Sequence, residues 1–194
     1  MKHHASREMY AYWTARRGTR LAPNRSEIDP AAIRGLLGDS FMVNRERGAE
    51  TVFRLAGTRI CDMFGRELKG ERFLALWDAR SHEDICMLLD VAAESAQGFV
   101  AGVTAELDDG APVRFELLML PLYRAGSAEA RSIGTLAPFN NVHNLQLQSV
   151  SGLRLEGWRQ VGPDIEASLV PRDFAMPPEA HVSHGMIVVP GGRV

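Results

Sequence analysis

Six histidines, two cysteines and one pair of adjacent aspartates are the residues of this chain whose types invite chemistry. His181 and His184 have the H-x-x-H spacing of a metal pair, but they lie in a proline-rich tail with no third ligand at motif distance. Zinc takes four ligands, or three and a water, so no metal site is expected there. His82 opens a helix, where the positive end of the dipole disfavours a charged imidazole, and reads as an exposed first-turn residue. His3 and His4 are expected to belong to a mobile terminus. Cys61 and Cys86 sit in apolar, helical surroundings and read as small buried hydrophobes, not as a disulfide framework. Asp108 and Asp109 precede Gly110 and are accounted for as turn residues. The chain carries no nucleophile elbow, Walker loop or dinucleotide glycine fingerprint, so no enzyme is predicted.

Composition sets the frame for these residues. A chain of 194 residues, 45% hydrophobic, suits one domain with decorations. Charge is nearly balanced at 22 basic against 24 acidic residues, with no basic block, so a nucleic-acid partner is not expected. No apolar run approaches the roughly 18 residues of a membrane span. The N-terminus lacks the apolar core of a signal peptide, which makes the expected location cytoplasmic.

The elements that would position any site follow from periodicity. Ser6 to Arg17 reads as a helix with Met9, Trp13 and Arg16 on one side and Tyr12 beside them. Asp29 before Pro30 is a helix start, and Gly38 a stop, around the short apolar face of Ile33, Leu36 and Leu37. "SFMVN" and "TVFRLAG" read as two strands joined by the turn "RERGAE", with Phe53 and Leu55 on one face. Short helical turns broken at Gly65 and Gly70 follow, and then a long helix from Ser81 to Gly98. Ser81 and Asp84 are spaced as a capping box, and Ile85, Leu88, Leu89, Ala92 and Ala96 form its apolar stripe. Two further strands flank "DDGAP", and "RSIGTLAPF" makes a fifth. Alternation is clean at the start of "VRFELLMLPLY" and fails at its end, as in a strand covered on both faces. The segment after Asn141 could hold a strand or an amphipathic stretch before an irregular tail. The class is α+β, with helices inserted into an antiparallel sheet.

Several short words mark a relationship. They are Tyr12-Trp13, Arg17-Gly18, Ala22-Pro23 with Arg25, "EIDP" (Glu27 to Pro30), "FRLAGT" (Phe53 to Thr58), "FGRELKG" (Phe64 to Gly70) and Leu76-Trp77. In this order and spacing the chain resembles the PAS-like family of small stand-alone proteins common in alphaproteobacteria. The resemblance implies a five-stranded antiparallel sheet with helices over one face, over residues 39–140. It leaves an N-terminal helical extension over 1–38 and a partly irregular C-terminal extension over 141–194. It also implies a sensory or regulatory module that binds a small ligand and signals through a separate partner protein, having no output domain of its own. No cofactor is fixed by the motif residues. His82 and His143 are the imidazoles a haem would have to use. "RICDMFG" lacks the asparagine, arginine and glutamine residues that accompany the reactive cysteine of light-sensing relatives, so flavin photochemistry at Cys61 is rejected.

A candidate ligand pocket lies between the long helix and the sheet. Helices broken at glycines can curve over a sheet and leave a cavity, which Phe64, Phe73, Trp77, Leu89 and Met119 would line. The same five side chains could equally fill that space as an ordinary core. The alternative function is accordingly a ligand-free adaptor or dimerisation module with a filled core and an exposed apolar patch. Met9, Tyr12 and Trp13 are the residues expected to pair two copies in a homodimer, although their face could also dock on the sheet of its own chain.

Overall fold

The computed structural model describes residues 1–45, 49–95, 97–107, 110–123, 130–139, 150–162, 181–183 and 186–188. Helix α1 spans His4–Arg17, strands β1 Ser40–Arg45 and β2 Thr51–Ala56, and helices α2 Thr58–Met63 and α3 His82–Ser95. Strands β3 Gly98–Glu106, β4 Pro112–Leu122, β5 Ala130–Pro138 and β6 Arg154–Val161 follow, and β7 His181–Ser183 pairs only with β8 Met186–Val188. The main sheet runs β2-β1-β5-β4-β3-β6 with every pairing antiparallel. It therefore has six strands where five were expected. The sixth, β6, pairs along β3 beyond residue 140, so the sheet continues into the stretch expected to be an extension.

Helices cover both faces of the sheet, where cover on one face was expected. The inner face carries Phe115, Leu117 and Met119 of β4, packed with α2, α3 and the single-turn helix Phe73–Leu76. The outer face carries Leu118, Leu120 and Leu122 of the same strand, packed with Ala5, Met9 and Trp13 of α1. This explains why alternation in β4 lapses after its first residues, as its later positions are buried on both sides. The apolar stripe of α1 repeats every four residues, at Ala5, Met9 and Trp13, and stops short of Arg16, which is exposed and lies over the Tyr12 ring.

The chain between α1 and β1 forms single turns of 3₁₀-helix, not one longer helix. Asp29 caps the turn Pro30–Ile33 by accepting from the Ala31 N–H at 2.9 Å, as its place before proline predicts. A second turn, Leu37–Asp39, leads into β1. Asp39 is buried and takes a forked pair from Arg59 of α2, at 2.7 and 2.6 Å. Gly57 lies so close to this turn that a Cβ would sit 2.0 Å from the Leu37 carbonyl oxygen.

A bulge corrects one face assignment. Val43 pairs with Phe53 while Met42 pairs with Leu55, which leaves Arg54 as an extra residue in β2. Phe53 consequently joins the inner core, and Leu55 turns to the outer side, where it is exposed. The two do not share a face. Gly65 and Gly70 both hold positive φ, at 62° and 86°, and end the turns that curve over the inner face. The turn 46–48, the aspartates 108 and 109, and residue 96 lie outside the described residues.

His3 is packed, contrary to the expected mobile terminus, while His4 beside it is exposed. The Ala5 N–H donates to His3 Nδ1 at 3.1 Å as the N-cap of α1, and the His3 ring meets those of His4 and Phe139. Beside it, the N–H groups of Lys2 and His3 donate to the buried Glu116 carboxylate at 2.6 and 2.9 Å. Burial pushes the Glu116 carboxyl up, but these donors and the Ser6 hydroxyl outweigh it and hold the group below its ordinary range. Burial, with His4 and Arg7 nearby, holds His3 below its ordinary value of 6.5 against the pull of Asp39 and Glu116.

Both shifts have the same consequence for acid. The unfolded chain takes up these protons at higher pH than the folded one, so each group contributes stability above its unfolded value and loses it as pH falls. The melting temperature should drop first below the ordinary His3 value of 6.5 and again below the ordinary Glu116 value of 4.5. His3→Asn, which keeps a side-chain cap without the titration, should remove the upper step in melts followed by circular dichroism. An unchanged upper step would assign it elsewhere.

Candidate functional site

The five side chains expected around a pocket converge. Phe64, Phe73, Trp77, Leu89 and Met119 are all buried and all belong to the inner-face core. Four different elements bring them there. Phe64 ends α2 and Phe73 opens a single turn with Trp77 as its C-terminal cap, while Leu89 comes from α3 and Met119 from β4. Two of them, Phe73 and Trp77, join Phe41 and Phe53 in a continuous chain of rings. Phe41 meets Phe53 and Phe73 at 5.9 and 5.8 Å between ring centroids, and Phe73 meets Trp77 at 6.0 Å. Such spacings are those of rings in contact.

One polar atom stands out in this apolar surrounding. Trp77 is only 5% exposed, and its indole N–H has no hydrogen-bond partner among the described residues. Buried donors are normally satisfied, and leaving one unmet costs about 1–3 kcal/mol. By contrast, the indole of Trp13 on the outer face donates to the Pro121 carbonyl at 2.8 Å.

The backbone around Trp77 is held by β6 and the residues before it. Leu153 N–H donates to the Leu76 carbonyl at 2.7 Å, and Asp78 N–H to the Leu153 carbonyl at 2.8 Å. The Asp78 carboxylate accepts from the Ser81 N–H and hydroxyl at 3.0 and 2.6 Å, and from Arg154 Nε at 3.1 Å. The Ser81 hydroxyl, first among these donors, holds the Asp78 carboxyl below its ordinary value. That hydroxyl also accepts from Leu155 N–H at 3.0 Å. Ser81 is thus spent on Asp78 and the approach to β6, not on the capping box with Asp84. This staple was missed in the sequence, although the D-x-x-S spacing of Asp78 and Ser81 is the available signal.

Cavities lie elsewhere. A cleft of about 640 Å³ beside the staple is lined by Asp78, Glu106, Arg114 and Arg154, where charges of both signs face one another. A groove of about 300 Å³ on the outer side of β1 and β2 is mostly apolar and includes Met42, Leu55 and Ile133. None of the five inner-face candidates lines either one. His82 is exposed at the start of α3, with Nε2 3.0 Å from the Trp77 carbonyl oxygen. Cys61 is half-buried, and burial first of all raises its thiol pKa. Among the described residues no three of His, Cys, Asp and Glu gather as a metal site would require. His143 and His184 lie outside the described residues.

Met9 and Trp13, expected to meet a second copy, are wholly buried against the sheet of their own chain. Tyr12 is half-buried, and its hydroxyl lies 3.3 Å from the Glu27 carbonyl and accepts from Asp29 N–H at 2.7 Å. The face that was to pair two chains is occupied within one.

An antiparallel sheet entered by one hairpin, crossed by short helices and one long helix, and closed by a second set of strands is a PAS-like architecture. A family comparison matches residues 1–137 to the PAS domain, and the chain belongs to that family. The match includes α1, so the outer-face helix lies within it and not before it. No curated protein matches the chain. No helix among the described residues is long and apolar enough to cross a membrane.

The two buried tryptophans provide a test of this reading. Trp13→Phe leaves the Pro121 carbonyl without its donor, whereas Trp77→Phe removes a donor that had no acceptor. Urea denaturation should find the first substitution costlier by about 1–3 kcal/mol. Equal costs would mean that the Trp77 N–H has a partner.

Proposed function

We propose that this chain is a non-catalytic PAS-type regulatory module that acts by contact with a separate signalling protein. In this reading the space between α3 and the sheet is a packed core and not a ligand chamber. The observation that carries it is the contact of Phe41, Phe53, Phe73 and Trp77 in one buried aromatic chain. Exposed apolar side chains favour an output through the surface. Met87 and Val91 stand one turn apart on the solvent side of α3, and Leu37 and Leu55 flank the outer groove. Pairing of two copies through Met9, Tyr12 and Trp13 is not carried into this proposal, because Met9 and Trp13 are occupied within the chain.

A second reading rests on one specific atom. The unpartnered indole N–H of Trp77 favours a small ligand that presents a single acceptor to it inside the core. That is the sensor expected from the sequence, with its ligand reduced to what a closely packed core admits.

Native mass spectrometry of the wild-type chain and of Trp77→Phe, each compared with its denatured mass, separates the two. The packed-core reading predicts that both carry the same complement. A mass present on folded wild type, released by denaturation and absent from Trp77→Phe would overturn it and establish the inner ligand.

A further inference from the structure

The groove on the outer side of β1 and β2 combines an apolar lining with a cation that has no carboxylate partner among the described residues. Ile28, Pro30 and Ile33 form one wall, Met42 and Ile133 the sheet side, and Leu55 the rim. At about 300 Å³ it stands at the lower limit of the roughly 300–1,000 Å³ typical of small-molecule sites. The bulge at Arg54 turns Leu55 toward it, and bulges recur where a side chain has to be re-aimed. Leu55 is 53% exposed and Leu37, also in the lining, is 41% exposed, so the groove is open to solvent along an apolar lip.

Arg25 enters this lining half-buried. Its Nε lies 3.1 Å from the Met42 sulfur, a weak acceptor, and among the described residues no carboxylate pairs with the guanidinium. The neighbouring arginines differ. Arg20 is paired with Glu27 at 2.9 Å, and Arg59 holds Asp39 with both ends of its fork. A guanidinium set against apolar surface loses hydration without gaining a partner, and its planar fork suits a carboxylate. The groove thus lacks one thing its chemistry asks for, an anion joined to an apolar body.

The geometry points to a binding site for a small amphiphilic carboxylate, with the chain laid against Ile28, Ile33, Met42 and Ile133 and the carboxylate on Arg25. This site opens on the outer side of the sheet and shares Phe41 of its lining with the aromatic core, and it stands whether or not that core admits a ligand. A carboxylate displacing water from Arg25 is strengthened by the low-dielectric wall beside it, so charge and apolar contact act together.

Isothermal titration calorimetry of the full chain with decanoate, and separately with decanol, tests the assignment. Decanoate should bind saturably with one molecule per chain, at least tenfold more tightly than decanol. Arg25→Gln should bring decanoate down to the decanol level and leave decanol unchanged. Leu55→Asp replaces an exposed rim residue outside the core, and should repel decanoate at least tenfold. It decides the matter should Arg25→Gln fail to fold by circular dichroism. Absence of saturable heat with decanoate, equal affinity for acid and alcohol, or variants that bind decanoate as wild type does would each overturn the site. So would a wild-type dimer, seen by sedimentation, that Leu55→Asp dissolves, since the groove would then be an interface between copies.

Discussion

Leu118, Leu120 and Leu122 point away from the layer of helices that the chain's middle section lays over the sheet. A sheet with apolar residues on both faces has to bury both, because each exposed side chain forgoes roughly 1.5–3 kcal/mol. Since β4 is a central strand, its outer row cannot be hidden by bending an edge. The segment before β1 supplies the cover, α1 over the centre and the turns carrying Ile28, Ile33 and Leu36 beside it. The arrangement of the segment before β1 follows from that row of leucines.

The same row explains the polar contacts. Glu116 occupies the outward position of β4 just before Leu118, and a carboxylate there is buried once the helix docks. The first N–H groups of the chain meet it, and His3 caps the helix beside it. Trp13 answers the carbonyl of Pro121 farther along the strand. The cover is thus fixed in register at both ends by polar partners, while the inner face closes through aromatic contacts and the Asp78 staple.

Much of this was legible in the sequence. The double-sided burial of β4 was written in its lost alternation, the positive-φ breaks at Gly65 and Gly70 in the glycines themselves, and the convergence of Phe73, Trp77 and Met119 in the order of elements. Other features were hidden for physical reasons. The bulge at Arg54 defeats a strict period of two, because one extra residue reverses every face after it. Strand β6 reads Arg-Leu-Glu-Gly-Trp-Arg-Gln-Val and sits at an edge with only Val161 of its residues fully buried, so its weak hydrophobic pattern leaves a strand as one of two readings. Packing of α1 on its own chain, and not on a twin, depends on which apolar face lies within reach, and periodicity alone does not contain that choice. That Arg25 meets the Met42 sulfur and, among the described residues, no carboxylate was also invisible, since a missing partner has no sequence signature.

Isotope-filtered NMR on an equal mixture of labelled and unlabelled chains addresses the central claim, that one chain covers both faces of its own sheet. Contacts between the Trp13 indole and the residues around Pro121 should appear only between groups of the same chain. Cross-peaks between labelled and unlabelled chains at that position would contradict the account, because the outer face would then be covered by the helix of a second copy.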